Sequence, residues 1–116
     1  MKIVDFNTFI QLPIGTVYCE ASPCIFGDLA IKQDSIFKDG FGIDWFYTDL
    51  TGNPEYDCDI YSEAFEPMIN GENIKPDFYV QQRDGMYEYD RTFMVYTKKD
   101  VKRMIKRLKK LVWEYQ

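Results

Sequence analysis

Asp57, Cys58 and Asp59, with Glu55, Glu63 and Glu66 close by in sequence, form the densest set of groups able to hold a hard cation. Carboxylate oxygens of this kind suit Mg²⁺. The spacing completes no known loop, because the glycine and closing glutamate of a calcium loop are missing at the required offsets. The expectation is therefore solvated loop carboxylates, with no metal site and no cofactor. Catalytic chemistry is narrowed further by the complete absence of histidine. Ser-His-Asp and Cys-His nucleophiles, His-ligated zinc and imidazole pH switching are all excluded. No catalytic residue is predicted.

Two surfaces remain. Residues 98–116 carry eight basic residues against two acids, a net of +6, while residues 1–97 carry 17 acids against six bases, a net of −11. Such asymmetry points to recognition at a surface rather than in a catalytic pocket. The first surface is acidic and tyrosine-rich. Residues 41–90 hold 12 acids, with only Lys75 and Arg83 as bases, and six of the nine tyrosines. Tyr56, Asp57, Asp59, Tyr61, Tyr87, Glu88 and Tyr89 are the candidate partner-binding residues. Tyrosine gives a large contact area at low entropic cost, and the acids would steer a basic partner. The second surface is basic: Lys102, Lys106 and Lys109, with Trp113 projecting beside them. Trp113 would cover lysine stems, anchor a partner, or pack on the N-terminal helix.

The elements that must carry these residues read as one domain over residues 1–116. Asp5 caps a short helix with Phe6, Phe9 and Ile10 at helical spacing, ending before Pro13. Residues 16–19 and 24–26 suggest a hairpin with a four-residue loop, and residues 29–31 continue the sheet. Residues 41–48 give the cleanest strand, with Phe41, Ile43, Trp45 and Tyr47 on one face. A helix is expected over 62–70, ending at Gly71, and a second hairpin joins 78–82 to 86–89 around Asp84-Gly85. Residues 92–96 form a strand.

The last element is a helix over 97–115, with a capping box at Thr97 and Asp100. Val101, Met104, Ile105, Leu108, Leu111, Val112 and Tyr115 share one stripe, which predicts Ile105 and Leu108 in the core. The class is α+β. An antiparallel sheet of about five or six strands is expected, with this helix and one or two short helices packed on it. Cys19, Cys24 and Cys58 are an odd set, expected as free thiols in a reducing cytosol. No apolar run is long enough to cross a bilayer.

Asp5-Phe6-Asn7-Thr8-Phe9, Pro13-Ile14-Gly15-Thr16-Val17-Tyr18 and Pro23-Cys24-Ile25-Phe26-Gly27-Asp28-Leu29 with Ile31-Lys32 resemble small uncharacterised proteins of tailed bacteriophages and prophages. Arg83-Asp84-Gly85 and the junction over 96–101 share the likeness. The resemblance implies a phage accessory protein in the host cytoplasm. The leading expectation is a non-enzymatic inhibitor that docks on a host or phage protein, such as one of defence or nucleic-acid handling, through the acidic surface. The alternative is a nucleic-acid-associated protein using the basic helix, disfavoured by the −11 body. A small nucleotide-binding protein is the third class, and membrane association is not expected.

Overall fold

The computed structural model describes residues 1–52 and 65–115. The chain forms strand β1 (Lys2–Asp5), helix α1 (Phe6–Phe9), strands β2 (Val17–Ser22), β3 (Ile25–Phe26), β4 (Ala30–Lys38) and β5 (Phe41–Asp49). A helical turn over 65–69 (α2) follows, then β6 (Gln81–Arg83), β7 (Thr92–Tyr96) and a long helix α3 (Lys98–Tyr115). The expected α+β class with an antiparallel sheet is what folds. The sheet order is β1-β7-β2-β4-β5-β6, with β3 paired to the end of β2, and every pairing is antiparallel.

Local chemistry explains why the sheet starts and turns where it does. The Asp5 carboxylate accepts the Thr8 N–H at 2.8 Å and begins α1 directly at the end of β1. Phe6 and Phe9 of that single turn enter the core, where Phe9 stacks on Phe93 with centroids 4.0 Å apart. Trp45, Tyr18, Val4 and Val95 complete the cluster. Gly42 is required by close approach: a Cβ there would lie 2.5 Å from Ile10 Cγ1. Asp39 and Gly40, both at positive φ, make the tight turn between β4 and β5.

Several sequence expectations are corrected. Residues 2–5 form a strand, completed by β7 and not marked by local pattern. The first hairpin has a two-residue turn, because β2 continues through Ser22 and pairs with Ile25. The second hairpin does not form. β6 pairs with β5, and residues 86–89 are not a strand. Asp84 accepts the Met86 N–H at 3.2 Å, and Tyr87 takes φ +55°, which together turn the chain away from extended geometry. The helix expected over 62–70 is present at 65–69. Its close is made by Gly71 and Glu72 N–H groups donating to Met68 and Pro67. Residues 62–64 lie outside the described residues.

The largest correction concerns α3. Ile105 and Leu108 are not core residues, and no α3 side chain is fully buried. The core cluster is filled by α1 and the sheet, and only the first turns of α3 lie against β7. The helix then projects outward. The radius of gyration is 16.2 Å, against about 13 Å for a compact chain of this length.

Candidate binding surface

The start of α3 is firmly held. Thr97 Oγ1 accepts the Asp100 N–H at 3.2 Å, and Asp100 Oδ2 accepts the Thr97 N–H at 2.9 Å, the reciprocal pair expected from sequence. The Met1 ammonium lies 2.7 Å from the same carboxylate. That ammonium and the Thr97 bonds hold Asp100 down to about 2. From this anchor the 18 residues of α3 extend about 27 Å.

The apolar stripe on α3 is largely uncovered. Ile105 is 47 % exposed, Leu108 61 % and Val112 58 %, while Val101, Met104 and Leu111 are half-buried. At 100° per residue, Lys102, Lys106, Lys109 and Trp113 form a face beside this stripe, with Lys109 about 40° from Ile105. All four are exposed. Trp113 is 84 % exposed and does not pack on the N-terminal helix. Between α3 and the end of the sheet runs an apolar groove of about 720 Å³. Leu29 and Leu50 form its sheet wall, Met104 and Leu108 its helix wall, and Arg103 and Arg107 its rim. Among the described residues, neither arginine is in an ion pair. Leu29 and Leu50 carry no local sign of this role, because only the sheet order brings them beside α3.

The acidic surface is divided. Tyr56, Asp57, Asp59 and Tyr61 lie outside the described residues, as do Glu55, Cys58 and Glu63. Tyr87, Glu88 and Tyr89 are exposed, but both tyrosines are tied to the body. Arg83 Nη2 donates to the Tyr87 hydroxyl at 2.6 Å, and the Tyr89 ring meets Phe6 edge-on with centroids 5.0 Å apart. Among the described residues no group of three or more metal-ligating side chains occurs. Cys19 is buried and Cys24 exposed, both as free thiols.

Several charges of this region turn inward, which sequence pattern does not show. Asp44 is fully buried and accepts Arg83 Nε at 2.5 Å, with Gly85 and Trp45 N–H groups at 2.9 Å. Burial pushes its pKa up, but Arg83 and the two backbone donors outweigh this and hold the carboxyl below its ordinary value. Arg91 grips Asp84 with two N–H donors at 3.0 and 2.7 Å and lies over the Trp45 ring at 5.0 Å. These pairs fix the 83–91 loop against β5 and β7, so they support the fold rather than offer a free site. Among the described residues, no helix is long and apolar enough to cross a membrane.

No family model matches this chain, and neither a curated protein nor a solved structure is found to be similar to it.

Proposed function

We propose that this is a non-enzymatic binding protein whose working surface is α3, held out from the sheet to receive a partner protein. The observation that carries the reading is the uncovered stripe of Ile105, Leu108 and Val112 on a helix whose base is rigidly capped. Exposed contiguous apolar surface of this kind marks interaction sites in stable domains. The exposed apolar residues Ile105, Leu108 and Val112 favour a protein partner over a phosphate backbone, which would use only the lysines. The phage resemblance extends the reading to a cytoplasmic host protein as partner and inhibition as outcome; that extension rests on the resemblance alone.

Affinity capture from host lysate with wild-type protein and Leu108→Asp, followed by mass spectrometry, tests the reading. A partner lost on substitution, with the unfolding midpoint unchanged, supports it. A partner retained by Leu108→Asp refutes it. A second reading keeps the acidic surface as a dock for a basic partner, favoured by the exposure of Tyr79, Glu88 and Asp90.

A further inference from the structure

We infer that the groove between α3 and the Leu29–Leu50 end of the sheet takes an amphipathic helix of a partner protein, with the carboxylates of that helix set against Arg103 and Arg107. The inference rests on the reading of α3 as the working surface and names the occupant. Three features select it. The first is shape. The groove is two-walled, with Leu29 and Leu50 facing Met104 and Leu108, and its volume of about 720 Å³ suits several large apolar side chains. A helix laid in such a groove inserts residues at i, i+3, i+4 and i+7. A planar bilayer cannot reach the sheet wall of a concave slot.

The second feature is charge. Arg103 and Arg107 stand along the helix-side rim without ion-pair partners among the described residues. An occupant is therefore read as acidic along the flank that meets Arg103 and Arg107. The third feature disfavours a second copy of this chain. Antiparallel pairing of two α3 helices would set a net of +6 from residues 98–116 against an identical +6. An acidic helix meets the same stripe with attraction instead.

The test uses the full chain and fluorescently labelled helical peptides of about 18 residues, long enough to span α3. One peptide carries leucines at i, i+3, i+4 and i+7 with glutamates along one flank; its twin carries lysines there. Binding is followed by anisotropy. Vesicles of equal phosphatidylcholine and phosphatidylglycerol, and sedimentation velocity of the protein alone, run in parallel. The glutamate peptide is expected to bind at least about tenfold tighter than the lysine twin. Leu108→Asp should abolish that binding, and the double substitution Arg103→Glu with Arg107→Glu should invert the preference between the twins. Unfolding midpoints of all variants confirm that they fold. Equal binding of the twins, or none at about 100 µM, overturns the inference. So does vesicle binding or dimer formation that Leu108→Asp removes, although either result leaves α3 as the working surface. Partner capture from lysate that survives Leu108→Asp removes the underlying reading itself.

Discussion

The indole Nε1 of Trp45 donates to the Tyr18 hydroxyl at 2.9 Å, joining β5 to β2 inside the aromatic core. Both residues are buried, and the hydroxyl is the partner that makes burial of the indole N–H tolerable. Burial also pushes the Tyr18 hydroxyl far above its ordinary range, so it stays protonated. Tyr18→Phe removes the acceptor and leaves the indole N–H unpaired. The expected loss is about 1–3 kcal/mol, read from chemical denaturation. A loss near zero would mean that the bond contributes nothing net.

Lys32 is 1 % exposed and, among the described residues, has no carboxylate partner in hydrogen-bond reach; its Nζ donates to Ser35 Oγ at 2.7 Å and the Gln33 carbonyl at 3.2 Å. Burial lowers its pKa from 10.5. The unfolded chain then holds the proton more tightly than the folded one, so stability rises with pH from the depressed folded value up to about 10.5. Lys32→Met should flatten that alkaline rise and leave the protein at pH 7 as stable or more stable, by up to about 2 kcal/mol. Denaturation curves from pH 7 to 10.5 decide it; an unchanged alkaline slope would show the ammonium to be solvated.

Asp100 shifts in the opposite sense. Its folded pKa of about 2 lies below the ordinary 3.8, so its contribution is complete above 3.8 and is lost as pH falls from there to about 2. Asp100→Asn should remove the acid loss belonging to this window. Helix content followed by circular dichroism between pH 5 and 2 tests it; identical acid curves for the two proteins would count against the ammonium contact.

Much of this fold is legible in short-range chemistry. Asp5 beside Thr8, and Thr97 beside Asp100, mark helix starts because the bonds that begin a helix lie within one turn. The strand over residues 41–48 is legible in the shared face of Trp45 and Tyr47, but a register shift against β4 breaks the alternation before them and leaves Phe41 exposed rather than on that face. The partners of a strand are another matter. β6 sits beside β5 rather than beside residues 86–89 because the Asp84 turn and the Arg91 grip, neither visible as a pattern, redirect the chain. The stripe on α3 shows that the helix needs cover, but periodicity holds no information on which surface supplies it. Leu29 and Leu50 become groove residues only through the sheet order.

The exposure of α3 makes a sharp stability contrast. Phe9 is fully buried, and Phe9→Ala should cost about 3–5 kcal/mol. Leu108→Ala should change stability by less than about 0.5 kcal/mol, as at an ordinary surface position. Chemical denaturation of the two variants checks both values. A large loss at Leu108 would place the stripe in the core after all.

Capture of partner by wild-type protein, Leu108→Asp and Glu88→Lys, compared side by side at fixed salt, tests the central claim most directly. Leu108 stands on the exposed stripe of α3, and Glu88 on the acidic surface. If α3 is the working surface, Leu108→Asp loses the partner by at least about tenfold in affinity while Glu88→Lys retains it. Loss with Glu88→Lys and retention with Leu108→Asp would contradict the account and return the function to the acidic surface.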